Sequence, residues 1–203
     1  MKKIIFFIGN FLPGYRAGGP VTSIANLSTL LNKDFDITIV TSNKDFGVDT
    51  PYKEIEFDKK VKYKDFNIIY LSIINSKTVL NVIENENPDL IYLNSFFSTF
   101  TQLVLFVHIS KRLIMPIILA PRGELQEDAL AIKALKKKVY LTVYKLMKVY
   151  KQVSFHATDK IEHDRIKNMF KVDDISTLPN VPKVSDKAPL YKGKNELRII
   201  FIS

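Results

Sequence analysis

The sequence predicts an α/β protein with a doubly wound, mostly parallel sheet, and three observations carry that expectation. Short apolar runs alternate along the chain with longer stretches of helical periodicity. The short runs are continuous instead of alternating, as in strands covered on both faces. The resulting β-α-β-α rhythm implies right-handed crossovers and helices on both sides of one sheet. A chain of 203 residues, 46% hydrophobic and 25% charged, suits such a domain and has ample apolar material for a core.

In chain order, the strands are expected at Lys3–Ile8, Asp36–Thr41, Asn67–Leu71, Asp89–Leu93, Ile117–Ala120, Val153–Ala157 and Ser176–Leu178. Between them, residues 20–31 carry Ile24, Leu27, Leu30 and Leu31 on one helical face, and residues 76–86 place Val79, Val82 and Ile83 similarly. Longer helices are expected over 96–113 and 130–151. Asp159 with Glu162 three residues on reads as a capping box opening a helix over 160–170. Residues 44–66, charged and interrupted by Pro51, read as a long excursion with a hairpin. After Leu178, Pro179-Asn180-Val181-Pro182 breaks the rhythm, and residues 183–196 have linker composition with Pro189, Gly193 and four lysines. Leu197–Ile202 is an emphatic apolar strand. The expected organisation is therefore a domain over 1–182, a linker over 183–196, and over 197–203 the first strand of a further domain or an edge strand of the main sheet.

Composition narrows the chemistry. Cysteine is absent, which removes disulfides and thiolate metal sites and fits a reducing compartment. His108, His156 and His163 offer no metal-ligand spacing beyond a loose pair. The net charge of +9 favours phosphate-bearing partners. The apolar pentad after Met1-Lys2-Lys3 is too short for a signal peptide and lacks a cleavage site. The run Phe96–Ile109 contains Gln102 and falls short of the ~18 residues of a spanning helix.

Four of the seven glycines lie between Gly9 and Gly19, directly after the first strand. Gly9 and Gly14 have P-loop spacing, but Tyr15-Arg16 stands where a phosphate-binding Lys-Ser/Thr is needed. The dinucleotide pattern GxGxxG is absent, and the second strand ends in Val40-Thr41-Ser42-Asn43 without a ribose-binding acid. What remains is Gly18-Gly19-Pro20 at a helix start. Proline suits the first helical position, and glycines let backbone N–H groups approach a ligand at the positive helix end. The alternative is a strand-to-helix turn needing positive φ.

The stretch "PGYRAGGPVTSIANL" resembles the first loop and helix of GT-B-fold retaining glycosyltransferases, specifically glycosyltransferase family 4. "ILAPRGELQEDAL" (118–130) resembles that family's strand-end Pro-Arg-Gly segment, and "FHATDKIEHDRI" (155–166) its strand with a glutamate-bearing helix. "LPNV" (178–181) and "LRIIFIS" resemble its crossover and the opening of its second domain. The resemblance implies a Rossmann-like N-terminal half that binds a glycan or lipid-linked acceptor in surface-polysaccharide synthesis. The nucleotide-sugar donor would be held by a domain absent from this chain, with no resident cofactor or metal. It also implies that the chain alone transfers no sugar, so whether it is itself an enzyme stays open.

On that reading Gly18 and Gly19 form a cleft floor facing the diphosphate or the sugar. Arg122, with Gly123 and Glu124, follows the strand Ile117–Ala120 and lies at a carboxyl edge, where open α/β sheets bind ligands. Its guanidinium is a rigid fork for phosphate or carboxylate, or else it forms a structural salt bridge to Glu124 or Glu127. Asn94 and Ser95 end the preceding strand and are candidates for sugar hydroxyls or for turn formation. Glu162 reads as a cap or a cleft residue, with the cap sufficient to explain it, His156 as a satisfied core histidine, and Asn180 as a turn former.

The segment 131–151 carries Ile132, Leu135, Val139, Val143, Leu146 and Tyr150 at helical spacing, with seven lysines and no acid. It reads either as a core helix with a solvated face or, through Lys133, Lys136, Lys137, Lys138 and Lys145, as a dock for an anionic membrane surface. Nucleic acid is not expected, since no binding motif accompanies the charge. The expected location is cytoplasmic, peripheral on the inner membrane face. Competing readings are a non-catalytic glycan- or membrane-binding module and another nucleotide-binding domain such as an epimerase, the latter disfavoured by the missing dinucleotide motif.

Overall fold

The computed structural model describes residues 1–182. The linker and terminal strand expected over 183–203 lie outside the described residues.

The chain runs β1 (Lys2–Phe7), α1 (Gly19–Leu31), β2 (Phe35–Ser42), β3 (Lys60–Tyr63), β4 (Phe66–Leu71), α2 (Ser76–Glu86) and β5 (Leu90–Asn94). It continues through α3 (Thr99–Lys111), β6 (Ile117–Ala120), α4 (Glu127–Ala131), α5 (Ala134–Leu146), β7 (Ser154–Ala157), α6 (Lys160–Phe170) and β8 (Ile175–Thr177). The eight strands form one sheet in the order β3-β4-β2-β1-β5-β6-β7-β8. Only the hairpin pair β3–β4 is antiparallel. This is the doubly wound, mostly parallel sheet expected, with the 44–66 excursion ending in the hairpin.

The continuous apolar strands have the predicted cause. Ile5 and Phe7 of β1 pack into a core layer with helices α2, α3, α5 and α6, while Ile4 and Phe6 pack into a second layer under α1. Side chains alternate between faces, so a strand buried on both sides needs apolar residues at every position. From β1 the chain proceeds to β2 on one side, and from β5 it proceeds to β6 on the other. The carboxyl ends of β1 and β5 therefore flank the topological switch point, where such sheets open a crevice.

The segment 130–151 departs from expectation. It is not one helix with Ile132, Leu135, Val139 and Val143 in the core. Lys133 takes a left-handed conformation (φ 54°) that divides α4 from α5, and Lys148 (φ 53°) ends α5 before a 3₁₀ turn at Val149–Lys151. The core face of α5 is its aromatic row. Tyr144 packs on Phe96 and Phe170 at 4.9 and 5.4 Å between ring centres, and Tyr140 lies 5.8 Å from Phe96. Aromatic rings bury more surface than aliphatic side chains and gain further from edge-to-face contact, so the tyrosines take the inside. The aliphatic row at 135, 139, 143 and 146 is left exposed. Tyr150 alone of that series packs inward, against Phe170.

Candidate functional site

At the carboxyl edge the first turns of α1 and the loops after β6, β7 and β8 line a cavity of about 710 Å³ that includes Gly19, Pro20, Ser23, Asn26, Arg122, Gly123, Thr158 and Asn180. A second chamber of about 740 Å³ lies on the other side of the α1 start and includes Gly9, Asn10, Arg16, Ser42, Lys44, Asn94, Ser95, Glu124 and Lys133. The sequence-derived candidates Gly19, Asn94, Ser95, Arg122, Gly123 and Glu124 are thus brought together, and Gly18 caps the helix between the two chambers.

The glycines divide by role. Gly18 is the N-cap of α1 with φ 67° and ψ −133°, a conformation that side-chain-bearing residues avoid. A Cβ on Gly19 would meet nothing within 4 Å, so Gly19 leaves open space at the helix start. The close approach falls on Gly14 instead, where a Cβ would run into the Tyr52 hydroxyl and the Asp45 carboxylate. Asp45 accepts from the backbone N–H groups of Tyr15 and Arg16 at 3.2 and 3.4 Å and so holds the loop. No side chain caps α1, Pro20 sits in its first turn, and no acid lies there. The positive end of a 13-residue helix therefore faces the cavity without an internal counter-charge.

Arg122 is the centre of the site. It follows β6 in a left-handed conformation (φ 57°), as does Gly123 (φ 77°), and this double turn aims the side chain back across the strand ends. Nε–H donates to Oδ1 of Asn94 at 2.8 Å, one Nη donates to the Tyr92 hydroxyl at 3.1 Å, and the other donates to Oδ1 of Asn180. Ser23 of α1 donates to the same Asn180 oxygen at 2.9 Å, tying the β8 exit to α1 and the arginine. The salt bridges considered for Arg122 do not form. Glu124 accepts from Ser95 Oγ at 2.7 Å and from the Phe97 N–H at 2.9 Å, and Glu127 pairs with Arg165 at 2.9 Å. Among the described residues Arg122 touches no carboxylate. Three of its five N–H groups are engaged, and two remain for a ligand.

Asn94 and Ser95 both line the second chamber, and each also holds a charged neighbour. Asn94 is buried and orients Arg122, while Ser95 (φ 81°) orients Glu124. The burial of Asn94 follows from the parallel pairing of β5 with β6, which sets it beside Ala120.

Two further groups emerge only in three dimensions. Glu162 is 1% exposed. Its carboxylate accepts from the Gly123 N–H at 2.6 Å and from the N–H and hydroxyl of Thr158 at 2.7 and 2.8 Å. Asp159 caps the Glu162 N–H as expected, but the return half of the capping box is replaced by this cross-link between the β6 and β7 loops. His156 joins Arg122 through Tyr92. Its Nε2 lies 2.9 Å from the Leu178 carbonyl and must donate there, so Nδ1 accepts from the Tyr92 hydroxyl at 2.6 Å. Burial holds the His156 pKa below its ordinary 6.5 and pushes Tyr92 up to about 12, fixing both as neutral partners. Of these features only the histidine on a strand was legible beforehand.

The lysines expected at a membrane surface separate. Lys133 lines the second chamber. Lys137 turns inward, donating to the Ala129 carbonyl at 2.6 Å and lying 4.9 Å from the centre of the Phe97 ring. Lys136, Lys138 and Lys145 are exposed. No described helix is long and apolar enough to cross a membrane, and no described group of three or more His, Asp or Glu is gathered to hold a metal.

No known protein family profile matches the sequence, and no curated protein matches it. Solved structures do. The Staphylococcus aureus MnaA–UDP complex aligns with a TM-score of 0.51 at 15% identity, over 89% of this chain and 44% of that one. The dTDP-glucose 4,6-dehydratase of Bacillus anthracis with NAD gives 0.47 at 12% identity, over 77% and 54%. The UDP-GlcNAc 2-epimerase of Neisseria meningitidis bound to UDP-GlcNAc gives 0.36 at 10% identity, over 88% and 72%.

The fold is that of a Rossmann-like α/β domain. The chain spans about half the length of the first of these structures. The family expected from the sequence is overturned: no family profile matches the chain, and the solved structures named above are not glycosyltransferases of family 4. The physical reason lies in the motifs that carried the resemblance. The glycine N-cap with proline, the left-handed Arg-Gly turn and the Asp-capped helix serve here as local strand-to-helix turns and caps, which follow general helix-terminus preferences. They report the architecture and do not discriminate among its enzymes.

Proposed function

We propose that residues 1–182 form one lobe of a nucleotide-sugar-processing enzyme, with the carboxyl-edge cavity receiving the phosphate-bearing end of its ligand. One observation carries this reading: Arg122 is held by three neutral acceptors, touches no carboxylate among the described residues, and keeps two N–H groups free in a cavity that also receives an uncapped helix N-terminus. A guanidinium pre-oriented in this way suits bidentate phosphate recognition. The helix end adds N–H donors and positive potential on the same side. Arg16 and Lys133, which make no ion pair among the described residues, add positive charge to the second chamber. The solved MnaA complex contains UDP, which supports the ligand class.

The finer reading is that the reaction is transfer of the sugar to a glycan or lipid-linked acceptor held by this lobe, which also contacts the donor's diphosphate, with a further domain gripping the nucleoside. On that reading the lobe alone shows almost no turnover. Isothermal titration of the 203-residue chain with UDP, UDP-GlcNAc and dTDP-glucose tests the ligand class. Binding that vanishes in Arg122→Ala supports the reading, and absence of binding to all three by the wild-type chain refutes it. Supplying nucleotide sugar and acceptor, then resolving free nucleoside diphosphate from an isomerised sugar nucleotide, separates transfer from epimerisation.

A further inference from the structure

α5 carries an amphipathic pattern turned outward. Tyr140 and Tyr144 anchor one face in the core. The opposite face presents Leu135 (78% exposed), Val139 (58%), Val143 (47%) and Leu146 (77%) to solvent as one continuous row. At about 100° per residue, Lys138 and Lys145 border that row on one side and Lys136 on the other. No acid occurs between Asp128 and Asp159. Scattered exposed aliphatics are ordinary, but a lysine-edged aliphatic row along a whole helix is not.

We propose that α5 docks on an anionic lipid bilayer, the aliphatic row entering the headgroup boundary and Lys136, Lys138 and Lys145 meeting lipid phosphates. The charge pattern selects this occupant. A protein partner or a second copy offers no reason for cations on both edges and a complete lack of acids, whereas an anionic bilayer matches both the row and its borders. Lys133, at the start of α5, lines the second chamber, so the docked helix would set the chamber's mouth near the membrane surface. That last consequence rests on the proposed function; the membrane contact does not.

The test is partitioning of the full 203-residue chain, without nucleotide sugar, onto phosphatidylglycerol–phosphatidylcholine vesicles and onto pure phosphatidylcholine vesicles. Binding is expected to the anionic vesicles and to weaken with salt. Each lysine near such a surface contributes about fivefold, so Lys136→Glu, Lys138→Glu and Lys145→Glu together should lower partitioning by about a hundredfold or more. Leu135→Gln with Leu146→Gln should lower it at least about tenfold, since it removes the inserted apolar surface. The triple lysine-to-arginine variant should retain binding. All these positions are exposed, and unchanged circular dichroism confirms folding.

Arg122→Ala should partition like wild type, which separates failure of this proposal from failure of the functional reading. Absence of wild-type binding to anionic vesicles overturns the proposal, as does binding unaltered in either loss variant. A dimer in sedimentation equilibrium that Leu135→Gln dissolves, with no vesicle binding, would assign the row to a second copy and also overturn it.

Discussion

Replacing Arg122 by alanine removes the hub of the site without touching the core. In the cavity the change deletes the two N–H groups available to a phosphate. A charge-assisted hydrogen bond contributes about 1.5–3 kcal/mol, so losing even one such contact with the charge should weaken UDP or UDP-sugar binding by about a hundredfold. Within the protein the change leaves Oδ1 of Asn94, which is 3% exposed, without its donor. An unsatisfied buried acceptor costs about 1–3 kcal/mol, which in a domain of this size lowers Tm by about 2–9 °C. Arg122→Lys keeps the charge but loses the fork and the Nε bond, and should fall between the two in affinity, about tenfold weaker than wild type. The assay is isothermal titration with UDP-GlcNAc alongside thermal unfolding by circular dichroism. A variant Arg122→Ala that melts lower yet binds as tightly as wild type would refute the reasoning, because the guanidinium would then be a structural tie alone.

Glu162→Gln keeps the volume but replaces one accepting oxygen by a donor facing either the Gly123 N–H or the Thr158 pair; urea unfolding should show a loss of about 1–3 kcal/mol. Gly18→Ala should cost about 1–3 kcal/mol because of its φ of 67° and ψ of −133°, whereas Gly19→Ala should be near neutral in stability. Equal losses at the two positions would contradict that division. The folded-state pKa of His156 is lowered, so the stability tied to its neutral form is present above the unfolded value of 6.5 and is lost as pH falls below it. Chemical denaturation from pH 7.5 down to pH 5, about two units across that value, should show this loss, reduced in His156→Gln; His108, also lowered by burial, supplies the remaining slope.

The strands were legible because burial on both faces demands unbroken apolar runs, a local signal. Ile117–Ala120 falls where expected, and the other strands lie within a residue or so of their predicted limits. The site was legible as positions: Arg122, Gly123, Asn94 and Ser95 stand at strand ends, and strand ends meet at one edge of a parallel sheet. Their roles were not legible. Asn94 and Ser95 were candidates for sugar hydroxyls or turn formation, and their bonds to Arg122 and Glu124 were not foreseen. The Tyr92–His156 and Gly123–Glu162 bonds were hidden because the partners lie 64 and 39 residues apart and no periodicity encodes such a bond. The close packing of Gly14 against Tyr52 and Asp45 was not legible, whereas Gly19 opens onto space at the helix start.

By itself the sequence determined the sheet, its parallel sense and the basic character of 131–151, because apolar spacing and charge are properties of residues near one another in the chain. Which face of α5 turns inward was decided by tertiary packing, since only the assembled Phe96–Phe170 surface makes two tyrosines outcompete four aliphatic residues. The same holds for Arg122. Its charge is written in the sequence, but among the described residues it is free of carboxylates because Glu124, Glu127 and Glu162 find other donors once the strand ends are brought together.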